Sequence, residues 1–220
     1  MKRILVAIAV LTTLSFPVIC TAASAYPGAY VSGFLGININ PHTNAEGTDF
    51  FFNEDFNDRV EFDPSISIGG TAGYDFGIVR LEGELSYKHA EIASVTSQNG
   101  TRFRNVNGNI GAQAVMFNGF FDLHNNSRLT PYLGGGIGFA GLYLSDTTSQ
   151  GEPLYGESDD AVFAYQVGTG VEIDLNRLLS LDIGYRYFVT DRATFDSDLG
   201  ITTSMKFESH NANLGFRFKF

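Results

Sequence analysis

Apolar side chains recur at every second position along most of this chain, and the last residues show the pattern most plainly. In Asn-Leu-Gly-Phe-Arg-Phe-Lys-Phe, Leu214, Phe216, Phe218 and Phe220 share one parity, and Gly215, Arg217 and Lys219 share the other. A period of two describes a strand with two unlike faces. Eight segments of this kind are expected, over residues 29–39, 64–76, 78–97, 101–121, 130–144, 161–174, 179–190 and 205–220. Their joints alternate in character. The second and third meet at a tight turn near Gly77, the fourth and fifth across the short polar stretch 122–129, and the sixth and seventh across 175–178. The joints 40–63, 145–160 and 191–204 are long. The joint after the third segment carries Asn99-Gly100, a pair that favours a two-residue hairpin turn, so segments three and four are expected to protrude and close on themselves.

Short joints at one end and long or protruding ones at the other, with an even number of alternating segments, predict an all-β fold: an eight-stranded antiparallel up-and-down transmembrane barrel. Closing the first segment on the eighth removes the sheet edges, which lipid offers no hydrogen-bond partners. With the apolar parity taken as lipid-facing, Val31, Leu35 and Ile37 point outward from segment one, and Leu81 and Leu85 from segment three. The opposite parity then carries Arg80, Glu82, Glu84 and Lys88, followed by Glu172 and Asp174, Asp182 and Arg186, and Arg217 and Lys219. These are five bases and five acids in one interior. Burying an unpaired charge costs several kcal/mol, but an Arg or Lys facing lipid at the midplane costs about 2–4 kcal/mol with nothing to pair it. The charges are therefore expected to line the lumen as a paired network.

Two segments break the simple pattern. In the fourth, Val106, Gly108, Ile110 and Ala112 share one parity, whereas Val115, Phe117, Gly119 and Phe121 share the other. A β-bulge near Gln113 or Ala114 is expected to reconcile them. The fifth contains Leu133-Gly134-Gly135-Gly136-Ile137-Gly138, which suits a curved wall where backbones approach closely. That run lacks the Lys-Ser/Thr and helical pattern of a phosphate-binding loop. The chain has no Trp, so an interfacial belt has to be built from Tyr and Phe.

The amino terminus adds a compartment. Lys2 and Arg3 precede an apolar run over residues 4–14, and Ala23-Ser24-Ala25 offers a small-x-small cleavage site. This reads as a signal peptide over 1–25 ahead of a barrel domain over 26–220. The apolar run is too short to span a bilayer as a helix. Cys20 is the sole cysteine, and Ile19 before it departs from a lipoprotein signal, so the exported chain is expected to contain no disulfide.

With these stretches in hand, the chain resembles the small eight-stranded outer-membrane barrels, that is, the transmembrane domain of outer membrane protein A and the opacity-type surface proteins. The resemblance rests on "AYVSGFLGI" (29–37), "PYLGGGIGF" (131–139), "YQVGTGVEI" (165–173), "LSLDIGYRY" (179–187) and "LGFRFKF" (214–220). It implies location in the bacterial outer membrane, among outer-membrane lipids and lipopolysaccharide. It also implies that Leu214, Phe216, Phe218 and Phe220 form the strip read by the barrel assembly machinery, and that Glu172 belongs to an internal ion pair. No peptidoglycan-binding domain is expected after Phe220.

Charge and candidate chemistry then narrow the function. Removing Lys2 and Arg3 takes the formal net charge from −10 to −12, and the acids concentrate in the long joints: Glu46, Asp49, Glu54, Asp55, Asp58, Glu61 and Asp63 in one, Asp146, Glu152, Glu157, Asp159 and Asp160 in another. Such a chain does not suit nucleic acid, and the joints lack the spaced Asp-x-Asp-x-Asp-Gly of a calcium loop, so no metal or cofactor is expected. Phe50, Phe51, Phe52, Phe56 and Phe62 fall in the first long joint, as strand rim or as a contact for a host or partner surface. His42, His89, His124 and His210 are scattered, and His210 is followed by Asn211 and Ala212 where a lipid A deacylase-like barrel would carry His-x-Ser. The reading is a monomeric, non-enzymatic barrel with a structural and surface-recognition (adhesin) role and a lumen plugged by paired charges. A small pore or transporter, and a lipid-modifying enzyme, are the alternatives.

Overall fold

In a computed structural model of the chain, residues 27–49, 54–104, 106–125, 127–145, 147–149, 152–155, 158–197 and 201–220 are described. The expected signal peptide with Cys20, and Phe50, Phe51 and Phe52, lie outside them. Among the described residues all regular structure is β-strand, arranged as eight staves. The first stave is β1 (Gly28–Ile39) and β2 (Thr43–Asp49). The second is β3 (Glu54–Asp63) and β4 (Ser65–Asp75), and the third is β5 (Val79–Thr96). β6 (Arg102–Arg104), β7 (Val106–Asn107) and β8 (Asn109–Asp122) form the fourth; β9 (Leu129–Leu144) and β10 (Thr147–Ser149) the fifth; β11 (Glu152–Tyr155) and β12 (Ser158–Asp174) the sixth. The last two are β13 (Leu179–Ser197) and β14 (Ile201–Lys219). Pro41 and Pro64 sit at the breaks within the first two staves, where a residue without an N–H interrupts the ladder.

Each stave pairs antiparallel with its neighbour, and β14 returns to β1 with Val31 opposite Phe218 and Leu35 opposite Leu214, which closes the barrel. One end carries tight turns. Gly77 has a positive φ of 103°, a conformation open to glycine at little cost, and Asp75 Oδ1 accepts its N–H at 2.7 Å. Asn176 Oδ1 accepts the N–H groups of Leu178 at 2.8 Å and Leu179 at 3.0 Å. The described chain starts and stops at this turn end, where the Phe220 N–H donates to Ala29 O.

The long joints depart from the sequence expectation. Most of 40–63, 145–160 and 191–204 is strand, so the staves continue beyond the expected segments. Along each stave the polarity of the two faces inverts, which explains the continuation. On β5 the inward Arg80, Glu82, Glu84 and Lys88 give way to buried Ala90 and Ile92, while outward Leu85 gives way to exposed Glu91. On β14 the inward Arg217 and Asn213 give way to Phe207 and Met205, while outward Phe216 and Leu214 give way to exposed Lys206. Below the crossover the barrel is apolar outside and polar inside; above it the reverse holds, as in a barrel standing in water.

The inversion also corrects the expected bulge in the fourth stave. β8 pairs with β5 and β9 without a register shift through Gln113 and Ala114. Ile110 and Ala112 belong to the inward parity together with Asn118 and Asp122. The apolar residues change parity because the surroundings change, not because the strand slips. Shifts do occur in the far half, between Glu61 and Phe62 and between Val189 and Arg192. At the crossover, outward aromatic rings meet in pairs, Tyr87 with Tyr143 and Tyr187 with His210 stacked, and Phe139 with Phe163 edge to face. Their amphipathic rings suit a membrane–water interface.

Candidate functional site

The lumen is where the charged residues converge. Alternation on β5 aims Arg80, Glu82, Glu84 and Lys88 inward, and all four are buried. β13 brings Arg186 across the lumen to Glu84, and its second nitrogen lies 3.3 Å from Glu82 Oε1. Nearer the turn end Arg217 pairs with Glu172 and lies 3.5 Å from Asp182. Lys219 lies 2.6 Å from Glu172 and 3.0 Å from Asp174. Arg80 does not join the glutamates named from the sequence but faces Asp122 at 3.3 Å. Its guanidinium lies 4.8 Å from the Tyr132 ring centre and 5.0 Å from that of Phe120, so ring quadrupoles supplement the single carboxylate. Lys88 makes no direct ion pair among the described residues, although it feels the charge of Glu84 on its own stave. Its ammonium donates to Ser86 Oγ at 2.8 Å and sits 4.1 Å above the Phe188 ring.

Neutral side chains knit these ions together. Asn118 donates to Glu82 at 3.2 Å and to Glu84 at 2.9 Å; Gln166 donates to Glu84 and to Asn118 Oδ1, both at 2.8 Å. Tyr30 donates to Glu82 at 2.6 Å, and Tyr132 to Asp182 at 2.9 Å. Charge-assisted bonds of this type are the stronger ones. Sequence reasoning missed Asp122, Tyr30, Asn118, Gln166 and Tyr132. The periodicity places Asp122 in a joint, and the expected bulge obscures the parity of Asn118. The shared even parity of Asn118, Phe120 and Asp122 was the available signal.

Glycines make the space. A Cβ on Gly136 would lie 1.9 Å from Asn118 Oδ1, and one on Gly170 would lie 2.5 Å from the Tyr132 hydroxyl. The glycine run of β9 thus serves close approach, with side chains of β8 filling the positions its own would take.

Above the polar tier lies an apolar cluster with contributions from all eight staves, among them Ala45, Val60, Ile110, Leu142, Phe188 and Phe207. The strip Leu214, Phe216, Phe218 and Phe220 faces outward, each residue about half exposed or more. Of the histidines, His210 bonds the Tyr185 hydroxyl at 2.6 Å, His89 lies 3.9 Å from Glu91, and His124 Nδ1 lies 3.3 Å from the Asp122 carbonyl. Among the described residues no group of three His, Cys, Asp or Glu side chains is placed to hold a metal ion.

The model for the outer membrane protein beta-barrel domain matches residues 6–220. The chain is 26% identical to outer membrane protein PagN of Salmonella typhimurium over 229 residues, covering 90% of this chain and 92% of that protein. An uncharacterized protein of Brucella abortus is 31% identical over 195 residues, 74% of this chain and 68% of the relative. Among solved structures, OprG from Pseudomonas aeruginosa superposes with a TM-score of 0.61 at 12% identity, over 88% of this chain and 97% of that one. Neisserial surface protein A superposes with a TM-score of 0.51 at 18% identity, over 89% and 100%. The two structural likenesses bear on the fold alone.

Proposed function

Because the chain belongs to the outer membrane protein beta-barrel family and so resides in the bacterial outer membrane, we propose that it is a membrane-anchored recognition protein whose far end is displayed outside the cell. The observation that carries this reading is the continuation of the staves past the aromatic crossover. On β13, Ser197 stands ten residues beyond Tyr187. At about 3.3 Å per residue and a tilt near 40°, that is a rise of roughly 25 Å above the membrane surface. A barrel serving only to occupy the bilayer needs no such wall. Its inner face is packed and its outer face is charged, so it forms a stiff support for acidic, solvent-facing hairpins. Rigid support of loops is how many scaffolds present binding residues.

The test is adherence of cells that express the full chain to epithelial monolayers, with surface display verified by protease cleavage of the far hairpins in intact cells. Expression is expected to raise adherence, and shaving the hairpins is expected to abolish the gain. Adherence equal to that of cells carrying an empty vector, with display verified, would refute the recognition role.

Within the same proposal the ion-paired lumen is a plug and no solute path, and the protein works as a monomer. The Leu214–Phe216–Phe218–Phe220 strip is the segment engaged by the barrel assembly machinery. Deleting Phe220 is expected to slow insertion, read as a smaller fraction of heat-modifiable barrel in cells. A truncated chain that reaches the barrel form at the wild-type level would remove that role.

A further inference from the structure

We infer that the lumen is closed by two seals in series, and that the apolar far tier is a barrier to ions and small polar solutes in its own right, independent of the ion pairs beneath it. This rests on the reading of the lumen as plugged.

The two tiers differ in what they do to water. The polar tier is built to accept it. Gln166 Oε1, Asn211 Oδ1 and Asn38 Oδ1 are buried without a hydrogen-bond partner among the described residues. Lys88, with three donors to offer, has one hydrogen bond and a ring face. A cavity of about 10 Å³ bordered by Asp182, Arg186, Asn213 and Arg217 is of the size that holds one water. Buried polar atoms left by the protein are ordinarily satisfied in this way. A tier held by ions and hydratable amides resists flow only while its pairs stay closed.

The far tier offers water little: its buried polar side chains include Ser94, Thr190 and Thr203, and Thr190 Oγ1 already accepts the Phe207 N–H at 3.1 Å. Ile110, Leu142, Leu144, Phe188, Met205 and Phe207 are each at most 2% exposed and pack into one cluster across the lumen. Hydrophobic constrictions block conduction by excluding water, and an ion entering one forfeits its hydration without compensation. Opening the polar tier therefore does not open the barrel.

Planar-bilayer recording of three purified full-length variants tests this. Glu84→Gln with Glu172→Gln loosens the polar tier and is expected to leave the current at the protein-free baseline. Leu142→Asn with Phe207→Asn wets the apolar tier and is expected to do the same, because the ion pairs still close the path. Combining the four changes is expected to give a steady current. Heat-modifiable mobility verifies that each barrel is closed, and Leu142→Asn alone replaces the double change if that protein does not fold. Steady conductance from the polar-tier variant alone would overturn the second seal while leaving the plug reading intact. Steady conductance from the apolar-tier variant alone would overturn the series arrangement. Steady conductance from the unmutated protein would overturn the plug reading itself, so the failures are distinguishable.

Discussion

Arg186→Ala is expected to destabilise the barrel by about 3–5 kcal/mol, the cost of stripping one partner from a buried ion pair. Among the described residues Arg186 is the single cation that bridges Glu82 and Glu84. Without it two carboxylates, two residues apart on the inner face of β5 and each about 2% exposed, are left side by side, with Arg80, held by Asp122, and Lys88 as the other cations of their stave. Asn118 and Gln166 still donate to them, but neutral amides do not compensate two charges. The mechanism makes a second forecast. Removing all three charges together, as Arg186→Met with Glu82→Gln and Glu84→Gln, should recover most of the loss, because the penalty comes from uncompensated charge and not from the missing bond. Unfolding midpoints in urea, read from the gel mobility of the folded barrel, measure both. Equal instability of the single and triple variants would mean that the network holds its place by shape and not by charge.

Gly138→Val is expected to prevent barrel closure, whereas Gly141→Val, three residues along the same strand, is expected to be silent. A Cβ on Gly138 would stand 2.0 Å from the backbone oxygen of Val115 and 2.8 Å from Met116 Sδ; one on Gly141 meets nothing within 4 Å. Overpacking a filled interior costs about 1–3 kcal/mol when side chains can move aside. Here the obstacle includes main chain of the adjacent stave, so the cost should exceed that range. Val is well suited to strands, which removes propensity as an explanation of any difference. The fraction of chain reaching the heat-modifiable form in cells is the readout. Folding of both variants alike would show that the β8–β9 ladder is looser than its register implies.

Much of the fold is legible along the chain because alternation is a local property. Arg217 between Phe216 and Phe218, or Glu84 between Gly83 and Leu85, fixes which side of its own strand each residue takes, whatever the neighbours are. Turn chemistry is equally local: Gly77 and Asn99-Gly100 sit at the two positive-φ glycines of the described backbone, Gly77 and Gly100. Hence eight segments and their antiparallel order follow from alternation and turn chemistry, and the same parity is the ground for expecting Arg80, Glu82, Glu84, Lys88, Glu172, Asp174, Asp182, Arg186, Arg217 and Lys219 to face inward.

Partnership is not local. Arg80 meets Asp122, and Arg186 meets Glu84 across the lumen, because stagger and tilt set which inward residues share a level, and no single strand encodes the stagger. The same holds for what an apolar parity means. Ile110 and Phe117 are both apolar, one inside and one outside, on a strand that never slips. The sequence determined which residues share a face. Only the tertiary structure decided whether that face meets lipid, lumen or water, since the height at which each stave leaves the membrane depends on all eight together.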